Sequence, residues 1–182
     1  MKLNFNKGEK NIMEEIFDIY TRDGKYLGTK PKSECHTQNP GFYHKPVWIW
    51  IKNSKNEILV QKRAACKKNH PNLYDMPSAG HVSAGESMID GAIRETEEEL
   101  GIKTKKEDYI FIQEYICDHT WEIASIYLLK INIDIKEFKL QKEEVSEVKW
   151  LNYEDFKKLF YSDEFVKHDE EYRKIVLELL KM

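Results

Sequence analysis

The sequence has few cysteines, only Cys35, Cys66 and Cys117 among 182 residues. Their odd number and wide spacing imply no disulfide framework and no CxxC motif. A reducing, cytoplasmic setting is the expectation. No apolar run approaches the ~20 residues of a membrane span, and Met1 to Asn6 has no apolar signal core. Neither membrane association nor secretion is therefore expected. Neither charge sign dominates: 29 Lys and Arg stand against 32 Asp and Glu, net −3. That balance argues against the basic footprint needed to bind a nucleic-acid polymer. Internal repeats and low-complexity segments are also absent, which argues against a filament. What remains is 41% hydrophobic and 34% charged residues, with eight Phe, ten Tyr and four Trp to fill a core. The length fits one domain.

Residues 1 to 12 are polar and read as a loose arm. Glu15 to Ile19 reads as a short strand, Arg22-Asp23-Gly24 as a tight turn, and Tyr26 as the start of the return strand. Residues 31 to 46, with three prolines, read mainly as loop. Val47–Lys52 and Glu57–Arg63 read as the two strands of a hairpin, Cys66–Pro77 as loop, and Ala79–Val82 as a short strand. A helix is predicted from about Ser87 to Leu100, with Ser87 or Glu86 at its start and Gly101 as its stop. Further strands are predicted before Glu114, over Trp121–Ile133 as the longest, and over Val145–Leu151. Helices are predicted over Tyr153–Phe160 and Asp163–Lys181. The early strands connect too tightly for βαβ crossovers. The expected fold is therefore an α/β (α+β) sandwich with a mixed central sheet between helices.

The segment GHVSAGESMIDGAIRETEEELGI, Gly80 to Ile102, carries the chemistry. Glu95, Glu98 and Glu99 stand at i, i+3 and i+4, on one helical face, with Arg94 four residues before Glu98. Like charges so placed repel unless a cation gathers them, and hard divalent ions take carboxylate oxygens. Ile89, Ala92, Ile93, Thr96 and Leu100 form the inward side. The full pattern, from Gly80 and Glu86 through Arg94-Glu95 and Glu98-Glu99 to Gly101-Ile102, closely resembles the Nudix box. Its one departure is Thr96, where that family prefers a larger aliphatic residue. The resemblance implies a Nudix-type domain over residues 1–182, with a hairpin extension at about 1–46 and C-terminal helices at about 153–181. It also implies that Glu98 and Glu99 are principal ligands of Mg2+ or Mn2+, and that Glu95 is a further ligand or base. Gly80 would ligate through its carbonyl, while Glu86, Arg94 and Gly101 would serve the motif structurally.

A narrower resemblance lies outside the box. His36, His44, His81 and Glu99 resemble the metal-binding set of type 1 isopentenyl-diphosphate isomerase, a Nudix-superfamily enzyme, which implies a second divalent ion at the histidines. Lys32, Arg63 and Lys67 resemble its diphosphate-binding cations. Two departures weigh against isomerisation, which needs proton addition at one carbon and removal at another. Ala79 stands where that enzyme has a cysteine, and Ala124 falls where its second glutamate is expected; Glu122 matches the first. The reading is thus a hydrolase on an isomerase-like branch. It would cleave a diphosphate linkage in a small molecule, a nucleoside diphosphate derivative being the expected class. The alternatives are an isomerase of a prenyl diphosphate and a domain that binds diphosphates without turnover.

Glu95, Glu143, Glu144 and Glu147 are candidate general bases, with Glu144 first. Trp48, Trp50, Tyr74, Trp121 and Tyr127 either line a pocket or build the core, and core is expected. A monomer or a homodimer is equally compatible with the sequence.

Overall fold

A computed structural model describes residues 14–182; the predicted N-terminal arm lies outside the described residues. β1 (Ile16–Tyr20) and β2 (Tyr26–Pro31) form an antiparallel hairpin around the Asp-Gly turn, and α1 (Lys32–Cys35) follows. β3 (Tyr43–His44) leads into β4 (Pro46–Lys52) and β5 (Ile58–Arg63). β6 (Tyr74–Asp75) and β7 (Ser78–His81) precede α2 (Met88–Leu100). β8 (Tyr109–Cys117), β9 (Glu122–Lys130), β10 (Val145–Leu151), α3 (Tyr153–Phe160) and α4 (Glu170–Leu179) complete the chain.

The strands make one mixed sheet in the order β10-β5-β4-β9-β3-β1-β2, with β6 on β5, β7 on β4 and β8 on β9. β9 runs parallel to β4 and to β3, and the other pairs are antiparallel. Side chains alternate across β4, so each of its faces closes a different core. Val47, Ile49 and Ile51 meet Ala92 and Leu100 of α2. Trp50 meets Phe156 and Phe160 of α3 and Tyr172 and Val176 of α4. The result is the expected mixed α/β sandwich, a curled sheet between helices.

Several expectations need correcting. The strand expected to be longest, Trp121–Ile133, is Glu122–Lys130 and no longer than β8, and the segment Cys66–Pro77 contains β6. β4 and β5 are not a closed hairpin. They pair only at Lys52↔Ile58, while β5 pairs along its length with β10. β9 occupies one edge of β4, so β7 and β5 share the other edge and diverge from it. This fork opens the cavity described below. The last helix begins at Glu170, not Asp163. Phe165 is fully buried and bridges to Tyr74 in extended conformation, and Asp169 caps the helix by accepting from Tyr172 N. Residues 31–46, read mainly as loop, also contain α1 and β3.

α2 follows its sequence signals closely. Ser87 accepts from Asp90 N at the start, and Gly101 ends the helix in the left-handed region at φ 69°. A Cβ on Gly101 would also lie 2.5 Å from Lys139 Cβ. Thr96 is fully buried, and its hydroxyl donates to the Ala92 carbonyl and accepts from Tyr109. That pairing explains why a hydroxyl is tolerated at this aliphatic position.

Candidate functional site

Where β5 and β7 part, a cavity of about 860 Å³ opens beneath α2. Glu95, Glu98 and Glu99 all line it, as do Gly80, His81 and Arg94. β7 brings Gly80 directly against the helix: a Cβ there would lie 1.9 Å from Glu95 Cδ. Only glycine leaves room for that carboxylate.

Arg94 organises the acidic face. Its Nε and Nη2 donate to the two Glu86 oxygens at 2.9 Å each. Nη1 donates to Glu95 at 2.7 Å and Glu98 at 3.2 Å, and Nη2 also donates to the His81 carbonyl at 2.8 Å. All five of its N–H donors are thus engaged. Glu86 has a lowered pKa, first because of the Arg94 hydrogen bonds. Glu95 is raised, because burial outweighs Arg94.

Glu99 is 7% exposed and accepts from Ala79 N, and burial pushes its pKa up to about 8. A buried carboxylate so disfavoured as an anion suits a cation that restores its charge.

The predicted cations reach the cavity but are already partnered. Arg63 gives three donors, two to the Asn69 carbonyl and one to Asp75 at 3.1 Å. Lys32 bridges to Glu15 at 2.9 Å from the start of α1. Lys67 pairs with Glu144, so a candidate phosphate ligand and the first candidate base hold each other. Glu143 lines the cavity too, whereas Glu147 accepts from Tyr74 outside it. Cys66 lies on the wall, with its thiol donating to the Glu143 carbonyl at 3.4 Å. Gln61, Asp75 and Glu15 are cavity residues to which no motif points. For Gln61 the available signal was strand alternation, because it faces the same side of β5 as Arg63. Four of the five aromatic candidates behave as core: Trp48, Trp50 and Tyr74 pack with one cluster and Tyr127 with the other, whereas Trp121 is half-buried against Tyr43 outside both clusters.

The histidines gather at the edge of this cavity, where His36 and His81 line its wall, with a different fourth partner from the expected one. His36, His44, His81 and Glu122 offer ligand atoms all within 4.8 Å of one another. Glu122 replaces Glu99 in the set because parallel pairing sets His44 opposite Glu122 in register. His36 Nε2 and His81 Nε2 are 3.0 Å apart. His44 is 1% exposed, and neither ring nitrogen has a hydrogen-bond partner among the described residues. Its Nε2 lies 3.5 Å from Glu122 Oε1. Burial lowers the His36 pKa to about 4 and also lowers that of His81. Burial alone would raise Glu122, but the adjacent His44 and His81 rings hold it at about 2. Converging imidazole nitrogens, those of His44 without a hydrogen-bond partner among the described residues, beside an ionised carboxylate, form a group able to coordinate a divalent cation.

Residues 42–174 match the NUDIX domain family. The chain belongs to the Nudix family. It is 38% identical over 158 residues to Nudix hydrolase 3 of Arabidopsis thaliana, a match covering 80% of this chain and 20% of that protein. An isopentenyl-diphosphate delta-isomerase of Gibberella zeae is 28% identical over 82% of this chain and 68% of its own length. The fold resembles that of DR0079 from Deinococcus radiodurans, with a TM-score of 0.70 at 18% identity over 92% of this chain and 98% of that one. This Nudix domain carries the family's metal-binding motif on α2, and the chain spans only about a fifth of the length of the Arabidopsis relative. Among the described residues, no helix is long and apolar enough to cross a membrane.

Proposed function

We propose that the chain is a divalent-metal-dependent hydrolase that cleaves the diphosphate linkage of a small molecule, a nucleoside diphosphate derivative being the substrate class. One observation carries this reading: the three α2 carboxylates share a single cavity with Arg63, Lys67 and Glu144. Glu95, Glu98 and Glu99, with the Gly80 carbonyl, would hold Mg2+ or Mn2+. A bound ion there polarises phosphoryl oxygens and offsets departing charge.

The chain's own groups do the rest. Arg94 fixes Glu95 and Glu98, and Ala79 N holds Glu99, before any ligand arrives, so little reorganisation is needed. Arg63 keeps two free N–H groups for phosphate oxygens. Lys32 and Lys67 bind phosphate as they exchange Glu15 and Glu144 for it. Glu144, released from Lys67, accepts a proton from the attacking water. The water oxygen bonds to phosphorus, and the bridging P–O bond breaks with its electron pair on the departing phosphate. The test is turnover across nucleoside triphosphates, dinucleoside polyphosphates, sugar nucleotides and prenyl diphosphates. Metal-dependent release of phosphate products should vanish in Glu98→Gln, and unchanged turnover by that variant would refute the assignment.

An isomerase acting on a prenyl diphosphate is the second reading. The His36-His44-His81-Glu122 group favours it, and that group would take Zn2+ or Mn2+ as a second ion. Ala79 supplies no proton where a thiol is needed, and Ala124 is buried in the sheet. Carbon-bound deuterium after incubating isopentenyl diphosphate in heavy water would decide for it. We read the chain as one catalytic domain with β1–β2 as an extension. Its unpaired cysteines fit a reducing compartment.

A further inference from the structure

We propose that, beside the diphosphate, the cavity receives a hydroxylated, non-aromatic group of sugar or polyol type, selected by Gln61. The inference deepens the hydrolase reading and rests on its placing of the diphosphate in this cavity.

Gln61 lines the cavity, yet it is 4% exposed and its Oε1 is buried without a hydrogen-bond partner among the described residues. Such an orphaned polar group costs about 1–3 kcal/mol. A ligand that pairs with it recovers that cost, and one that cannot leaves it unrelieved. Gln61 lies two residues before Arg63 on the same face of β5, a separation of roughly 6–7 Å. A phosphate on Arg63 would thus leave the next group of the same ligand opposite the amide. A hydroxyl both donates and accepts, so it satisfies an amide whichever end is presented.

The remaining wall excludes the competing classes. No Val, Leu, Ile, Met, Phe, Tyr or Trp among the described residues lines the cavity. A prenyl chain would meet only Ala79, Cys66 and the stems of polar side chains, and apolar burial is what binds such a chain, at ~25 cal/mol per Å². A nucleobase would find no Phe, Tyr or Trp to stack on, because Trp48, Trp50, Tyr74 and Tyr127 pack into the two cores, and the two imidazoles on the wall, His36 and His81, are taken up with each other at 3.0 Å and, for His81, with the ring of Phe17. The base of a nucleoside diphosphate sugar would then lie outside the cavity with its sugar inside.

Three uncleavable probes test this: the ribos-5-yl, isopentyl and phenyl esters of methylenediphosphonate. They share one metal-binding head and differ only in the group it carries. In calorimetry with Mg2+, the ribosyl ester should bind the wild-type protein at least tenfold more tightly than either other ester. Gln61→Leu should reduce that preference below threefold. Gln61→Met replaces it if the leucine variant melts early by circular dichroism. Equal or tighter binding of the isopentyl or phenyl ester overturns the substrate class. An undiminished preference in the Gln61 variant overturns the role of Gln61. Failure of the hydrolase reading shows separately, as no phosphate release from the parent diphosphates, and the binding ratios still decide this proposal.

Discussion

Two acidic and basic constellations flank the Gly80-His81 step, and they are built on opposite principles. On the α2 side, charge is compensated within the protein: Arg94 spends five donors on Glu86, Glu95, Glu98 and the His81 carbonyl. On the histidine side compensation is missing, and the buried His44 ring has no hydrogen-bond partner among the described residues. The first arrangement holds its shape before any ion binds. The second leaves nitrogens converging with nothing between them but each other and Glu122. Pre-paired polar groups stabilise an empty site, whereas orphaned ones make the site depend on what fills it.

The comparison can be broken most sharply at Glu99. We expect Glu99→Gln to lower metal-dependent turnover by about a thousandfold. Thermal stability without metal should stay within about 1 kcal/mol, because the amide oxygen can still accept from Ala79 N. Steady-state kinetics beside calorimetric melting would check both halves.

Gly80→Ala should come next. Its Cβ would collide with the Glu95 carboxyl, so turnover should fall about a hundredfold and stability by about 1–3 kcal/mol. A variant of wild-type activity would show that Glu95 can sit elsewhere.

Arg94→Lys removes the planar fork while keeping the charge. Turnover should drop roughly tenfold, with a loss of about 1–3 kcal/mol from broken charge-assisted bonds. Denaturant titration would measure that loss.

The smallest effect on diphosphate hydrolysis is expected at the histidines. His44→Phe keeps a flat ring near Phe17, whose centroid is 5.7 Å from that of His44, and removes two orphaned nitrogens. Metal-free stability should hold or rise, turnover should change less than threefold, and one bound ion should be lost in elemental analysis. His81→Ala should likewise lower the bound-metal count. Loss of hydrolysis in step with that ion would join the two constellations into one catalytic centre.

Local physics made α2 legible. A 3.6-residue apolar pattern, Ser87 at one end and Gly101 at the other each act within a turn or two, so the helix ends fall within a residue of their signals. The three glutamates follow from the same geometry. The strand fork was not legible, because Val47–Lys52 and Glu57–Arg63 look like any hairpin. Their actual partners, β9 and β10, lie tens of residues further along the chain. Phe165 suits helical spacing, which predicts helix over Asp163–Phe165, but it is fully buried beside Tyr74 and bridges to it in extended form. Glu122 was recognisable as a glutamate of interest, and its place beside His44 depends on a parallel strand pair.

By itself, then, the chain's order of residues determined the acidic helix, its caps and its carboxylate face, since those arise from neighbours three and four apart. Only the folded sheet decided where the cavity opens, which carboxylate joins the histidines, and that Gln61 stands on the wall beside Arg63. Those outcomes depend on strand partners tens of residues away, and no local spacing encodes which strands will meet.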